Sequence, residues 1–382
     1  MRKWDVPFGR LRGVNNNRSV VLDVFYQCVT LLTVRTLPKF HFFYVHLHDV
    51  SIDPVMQMLP LFTFAAPQLW LQVVLFVAGV VIVLWGADRL TDGAVGLAER
   101  VGVPQIVIGL TIVSIGTSMP EFFVSLMSAI NGTPDLAVGN VVGSNIFNTA
   151  FIVGVAAMIC PIRILPATVR KDMPFAIVSS VVLLAMCFDS SVSRVDALLL
   201  LAMFGMFMYI TLKGARANFG QGPDGCSVKK RAMAVSRSVT LLVVGLACLV
   251  LGSNVFVDNA SAIAANLGMS EALIGLTIVA CGTSLPELAT TVVAARRGNS
   301  GIAIGNVLGS NVFNILMILG LTGLVSPMDI QGITSVDLGA LLLSIVVLWL
   351  FSFTKYRVER WEGALLAAGF LGYMAYLVGQ AA

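Results

Sequence analysis

Charged residues are scarce in this chain. Asp, Glu, Lys and Arg make up 12% of its 382 residues, and hydrophobic residues make up 57%. A soluble domain is about 25% charged, so the deficit argues against a water-facing fold. Histidine is nearly missing: there are three, His41, His46 and His48. The six cysteines, Cys28, Cys160, Cys187, Cys226, Cys248 and Cys281, are scattered and form no CxxC pair. That argues against a disulfide framework or a thiolate metal site, and leaves them as small core residues. Neither a GxxxxGKS/T loop nor an HExxH pair is present, so nucleotide motors and zinc proteases of those types lack support.

What the chain has is long apolar sequence, with a mean hydropathy of +0.91. Many runs reach the roughly 20 residues needed to cross hydrocarbon as a helix. A β-barrel would instead alternate in short segments. Ten spans are predicted, at 70–91, 104–130, 137–161, 173–189, 195–213, 237–264, 270–295, 302–325, 335–353 and 361–380. The fold class is an all-α membrane protein. The segment 214–236 contains GQGPDG and KKR and reads as a flexible basic loop.

The net charge of +4 does not point to nucleic acid, because the basic residues are placed as topology signals. Beyond residue 68 there are 17 Lys and Arg. If 214–236 is cytoplasmic and the connections alternate, 16 of the 17 lie on the cytoplasmic side and only Arg194 lies outside. The expectation is a multi-pass protein of the inner (cytoplasmic) membrane with both core termini outside. Residues 1–68 fit this plan poorly. Their apolar run SVVLDVFYQCVTLLTV is 16 residues long and contains Asp23. They read either as a leader outside the core, with translation starting at Met56 or Met58, or as an extra span or anchor.

A repeat organises the rest. IGLTIVSIGTSMPE (108–121) matches IGLTIVACGTSLPE (274–287) at 11 of 14 positions, 166 residues apart. GNVVGSNIFN (139–148) matches GNVLGSNVFN (305–314) at 8 of 10 with the same offset. The chain is therefore expected to be two five-helix repeats, 69–213 and 237–382, joined by the 214–236 loop. Five is odd, so the second copy is inverted. Inverted repeats place substrate near the midplane at their interface.

A carboxylate within such a span costs about 2.5–3.5 kcal/mol on insertion scales, yet Glu121 and Glu287 occur in matching apolar settings. Thr117 and Glu121 are four apart, and Ser118 and Glu121 three apart, so on a continuous helix they share a face. Pro120 and Pro286 have no N–H, which leaves the carbonyls of Gly116 and Gly282 without their helical partners. Ser144 with Asn148 and Ser310 with Asn314 repeat the four-residue spacing. Each repeat thus offers hydroxyls, an amide oxygen, carbonyls and one carboxylate. Such hard oxygen ligands suit calcium, magnesium or sodium rather than zinc or copper. Plainer roles are assigned elsewhere. Gly109, Gly139, Gly143, Gly275, Gly305 and Gly309 let helices pack closely. Asn145 and Asn311 satisfy backbone groups. Asp88, Asp92 and Asp258 sit wet near the membrane ends.

The paired GTSxPE and GNxxGSNxFN blocks resemble the alpha repeats of the cation/calcium exchanger superfamily, and most closely its prokaryotic sodium/calcium exchanger branch. The resemblance covers roughly 69–382. It implies ten helices and a cluster of sites for one calcium or several sodium ions. By position, Glu121 and Glu287 would ligate both ions, and Thr117 and Thr283 would ligate through hydroxyl or backbone oxygen. Ser118, Ser284, Ser144 and Ser310 would complete the sodium sites. Asn148 and Asn314 would face the centre, and the backbone carbonyls of Ser114 and Ala280 would serve as ligands. Some relatives carry Asp where this chain has Asn314, which argues against potassium dependence.

The expected function is sodium/calcium antiport by alternating access. The expected partners are the inorganic cations and the lipid bilayer, with a monomer as the functional unit and no cofactor. The main alternative is a calcium/proton antiporter using the same glutamates, although related proton exchangers tend to carry GNxxE at this place. An intramembrane enzyme and a channel fit the residues less well.

Overall fold

The computed structural model describes residues 68–187, 190–217, 233–268, 280–330, 332–353 and 355–381. The leader, with its alternative start positions, lies outside them. So do most of the basic loop and the first part of the 270–295 span.

The chain enters through α1 (Leu69–Val101), 33 residues long. It ends where Gly102 takes the left-handed conformation at φ 73° and returns its N–H to the Ala98 carbonyl. A broken segment follows: α2 (Gln105–Ile108), a π-helical turn over Gly109–Val113, then α3 (Ser114–Thr117). The chain breaks at Ser118, and α4 (Met119–Ile130) leaves at 48° to the preceding segment. Pro120 lies in the first turn of α4, where no helical partner is needed for its missing N–H. Next comes a rod of α5 (Pro134–Ile146), a π-helical segment over Phe147–Ile152, and α6 (Val153–Ile159). The short α7 (Pro166–Arg170), α8 (Asp172–Met186) and α9 (Arg194–Ala217) complete the first half.

The second half repeats this pattern. It contains α10 (Val235–Asn266), α11 (Ala280–Thr283) and α12 (Leu285–Arg296). It continues through α13 (Ser300–Val312), a π-helical segment over Phe313–Ile318 and α14 (Leu319–Val325). It closes with α15 (Ser335–Phe353) and α16 (Arg360–Ala381). The sequence offset maps α3 through α6 onto α11 through α14 end for end, π segments included.

Among the described residues, seven helices are long and apolar enough to cross a membrane, or eight with the bent pair counted as one span. Ten spans were expected. The 173–189 span appears as α8, only 15 residues, short of the roughly 20 that cross at normal incidence. The 270–295 span is described only from its second part.

The two rods form the centre. Of the most apolar window in each, 72% is buried in α5–α6 and 94% in α13–α14. The outer helices turn apolar side chains such as Val81, Leu84, Val243 and Leu251 outward, as lipid contact requires. Small residues set the closest crossings. A methyl group on Gly245 would lie 2.5 Å from the Leu90 amide nitrogen, so α1 and α10 touch backbone to backbone. One on Gly305 would lie 2.8 Å from the Ile106 carbonyl oxygen. Gly139 has only ordinary contact with Ile333, and a Cβ on Gly143 would meet nothing within 4 Å among the described residues. Their counterparts Gly305 and Gly309 pack on the 106–114 segment, whose own counterpart, 272–280, lies largely outside the described residues. Gly275 lies outside the described residues.

Among the described residues, four two-residue strands tie the halves together. β1 (Ile162–Arg163) pairs antiparallel with β4 (Arg357–Val358), and β2 (Ser191–Val192) with β3 (Met328–Asp329). Under the repeat offset β1 becomes β3 and β2 becomes β4, so exchanging the halves turns one pairing into the other.

Candidate ion-binding site

The break at Ser118 decides which groups meet. Ser118 has φ −85° and ψ 10°, so the spacing rules of a continuous helix fail there. The expectation that Ser118 shares a face with Glu121 of its own segment is corrected. Its hydroxyl donates instead to Oε1 of Glu287, in the other half, at 2.7 Å. The Ser284 hydroxyl makes the reciprocal bond to Oε1 of Glu121 at 2.8 Å. Ser310 adds a third, longer bond to Glu287 Oε1 at 3.4 Å. Ser144 makes no matching bond to Glu121 among the described residues. Both glutamates, both hinge serines and Ser310 are fully buried. Oε2 of each glutamate is buried with no hydrogen-bond partner among the described residues. An unpaired buried carboxylate oxygen is costly, and a bound cation would satisfy it.

The π-helical segments bring in the asparagines. Asn148 and Asn314 are the second residues of Phe147–Ile152 and Phe313–Ile318, and both are fully buried. Such wide turns are often found at functional sites. Helix α4, which carries Glu121, packs on the Phe313–Ile318 segment, and α12, which carries Glu287, packs on Phe147–Ile152. The two asparagines are not equivalent. Asn314 donates from Nδ2 to Asn145 Oδ1 at 3.0 Å. Neither Asn148 side-chain atom has a partner among the described residues. Asn145 donates to the Asn311 carbonyl at 3.1 Å, the backbone role expected of it. Asn311 instead donates to the Thr149 hydroxyl at 2.6 Å. The repeat places Ile315 opposite Thr149, so this bond has no counterpart.

Thr117 is buried and Thr283 half-buried, each at the end of its short helix. The Thr117 hydroxyl reaches Asn306 Oδ1 at 3.1 Å and the Ser114 carbonyl at 3.3 Å. The Ser114 carbonyl also accepts the Ser118 N–H at 3.0 Å. It is therefore already engaged twice. Ala280 opens α11, and its side chain lies outside the described set. Two residues were not foreseen, Asn140 and Asn306. Each hydrogen-bonds the backbone carbonyl of its repeat's glutamate. The sequence signal was there, because both are the Asn of the repeated GN pair.

Away from this centre, Asp88 and Asp92 are about one-third exposed and both pair with Arg297 at the end of α12. The Arg297–Asp92 contact is 2.6 Å. Among the described residues no three His, Cys, Asp or Glu side chains cluster as a transition-metal site would.

The sequence pattern of the sodium/calcium exchanger protein family matches residues 71–213 and 237–379. This chain belongs to that family. It is a secondary transporter of the antiport class and not an enzyme, a multi-pass protein that handles inorganic cations in a lipid bilayer. It is 36% identical over 310 residues to the inner membrane protein YrbG of Escherichia coli (strain K12), covering 79% of this chain and 95% of the relative. It is 32% identical over 337 residues to the sodium/calcium exchanger MaX1 of Methanosarcina acetivorans, covering 78% of this chain and 95% of the relative. Among solved structures it matches the sodium-calcium exchanger NCX_Mj soaked with zero Na+ and Ca2+. The TM-score is 0.70 at 30% identity, over 81% of this chain and all of that one.

Proposed function

We propose that this exchanger carries calcium in one direction and sodium in the other through a single midplane site centred on Glu121 and Glu287. The observation that carries the reading is the exchanged pair of bonds, Ser118 to Glu287 and Ser284 to Glu121, in a fully buried core. Around it, Thr117, Thr283, Ser144, Ser310, Asn148, Asn314 and the carbonyls of Ser114 and Ala280 supply further oxygen. Two ionised glutamates give the site a charge near −2. One calcium neutralises it, and so do two sodium ions. Competition for the same oxygens makes the fluxes exchange. An empty site of that charge is costly to close off in lipid, so the loaded protein changes sides far more readily than the empty one. That difference couples the two ions. The exchanged strand pairings and the end-for-end match of α3–α6 with α11–α14 support two inverted five-helix repeats. The proposed orientation has the 214–236 loop in the cytoplasm, in an inner membrane, with calcium leaving as sodium enters.

The test is labelled-calcium uptake into inverted vesicles under an imposed sodium gradient or an imposed pH gradient. Sodium-driven uptake that survives collapse of the pH gradient is the expected result. Uptake driven only by the pH gradient would assign the same glutamates to calcium/proton exchange instead.

A further inference from the structure

The two asparagines that sequence reasoning missed make the same brace in both halves. Asn140 Nδ2 donates to the Glu121 carbonyl at 3.2 Å and to the Ser125 hydroxyl at 2.9 Å. Asn306 Nδ2 donates to the Glu287 carbonyl at 3.3 Å and to the Thr291 hydroxyl at 3.1 Å. In each repeat the amide spans one helical turn, from the glutamate to the hydroxyl four residues on. It grips the peptide group from which the glutamate side chain springs. The helix it grips begins at a break, two residues before the glutamate. The brace ties α4 to α5, and α12 to α13.

Asn306 does more. It is fully buried, and its Oδ1 accepts the Thr117 hydroxyl at 3.1 Å. One amide therefore joins a hydroxyl of the first half to the glutamate backbone of the second. A hydroxyl has one proton. The same hydroxyl also lies 3.3 Å from the Ser114 carbonyl, so the shorter Asn306 contact fixes where Thr117 Oγ1 sits, and its lone pairs can meet a cation.

We propose that Asn140 and Asn306 are positioning residues of the exchange site, and that Asn306 also orients Thr117 as a cation ligand. Two glutamates brought together repel when no cation is bound. A brace on each carboxylate's own backbone resists that splaying and keeps the site shaped for the incoming ion. The inference rests on the reading of Glu121 and Glu287 as ligands.

The experiment uses the full chain, purified in detergent and reconstituted. Calcium affinity, the calcium KM, the maximal rate and the sodium concentration for half-competition are measured for Asn140→Ala and Asn306→Ala. Loss of an outer-shell partner of a metal ligand typically weakens metal affinity about 10–100-fold. Both variants should lose calcium affinity by about tenfold or more and show it as a raised KM. Half-competition by sodium should shift in both, and Asn306→Ala should lose more calcium affinity than Asn140→Ala, because it also loses the contact to Thr117. Asn140→Ser and Asn306→Ser keep a short hydroxyl donor in a smaller side chain. They should fall between alanine and wild type, and they serve where an alanine variant does not fold. Melting temperature without calcium separates scaffolding from positioning. A fall in melting temperature with calcium affinity within twofold of wild type would overturn the proposal. Glu121→Gln and Glu287→Gln run in parallel. If they retain exchange, the glutamate reading fails. If they lose it while all asparagine variants bind calcium normally, only the brace fails.

Discussion

At the scale of single residues, the account turns on two carboxylates and the hydroxyls facing them. Glu121→Gln and Glu287→Gln each remove one charge and little volume. A charge-assisted contact is worth about 1.5–3 kcal/mol, so calcium affinity should fall by about 10–100-fold or more. Calcium titration of each purified variant, with size-exclusion chromatography to show that it folds, checks this. Asn314→Asp adds a third carboxylate beside the other two. With calcium bound, the site then carries an uncompensated negative charge. Exchange in sodium alone should slow, and added potassium should restore part of it; uptake with and without potassium decides. The buried polar residues were legible beforehand, because the same residue types occur twice in one pattern. The pairing was not. Sequence spacing put Ser118 on the face of Glu121, and the structure hands it to Glu287. Helical spacing assumes a continuous helix, and the chain breaks at Ser118. Asn140 and Asn306 were missed because a Gly-Asn pair in a glycine-rich stretch reads first as helix packing.

At the scale of elements, the repeat was the strongest signal, since a fixed offset of 166 maps helix ends onto helix ends. Individual roles within it were less transferable. Asn145 donates to a backbone carbonyl, whereas its counterpart Asn311 donates to the Thr149 hydroxyl. At Gly309 a methyl would sit 2.5 Å from Ser114 Oγ and 2.7 Å from the Leu110 carbonyl oxygen. Gly309→Ala should therefore cost about 1–3 kcal/mol as overpacking and weaken transport. Thermal unfolding in detergent compares the variant with wild type. The Arg297 pairs with Asp88 and Asp92 join α1 to α12 at partly exposed positions. Such pairs contribute about 0–1 kcal/mol and are screened by salt. Arg297→Gln should lower stability by no more than that, with the difference shrinking at high ionic strength.

For the whole molecule, the family match begins at residue 71, and every proposed ligand lies beyond it. A chain lacking residues 1–55 should insert and exchange at a rate within about twofold of the full chain, a margin inside the ordinary spread of single-site effects. Vesicle uptake with both versions tests it. The central claim is that calcium and sodium share one set of oxygens around Glu121 and Glu287. The most direct measurement is calcium binding to the purified protein at increasing sodium, at constant ionic strength and pH. Sodium should raise the apparent calcium dissociation constant without limit and without lowering the number of sites. The dependence should be steeper than first order, because more than one sodium replaces each calcium. A plateau at high sodium, or calcium and sodium bound together at full occupancy, would contradict a single shared site.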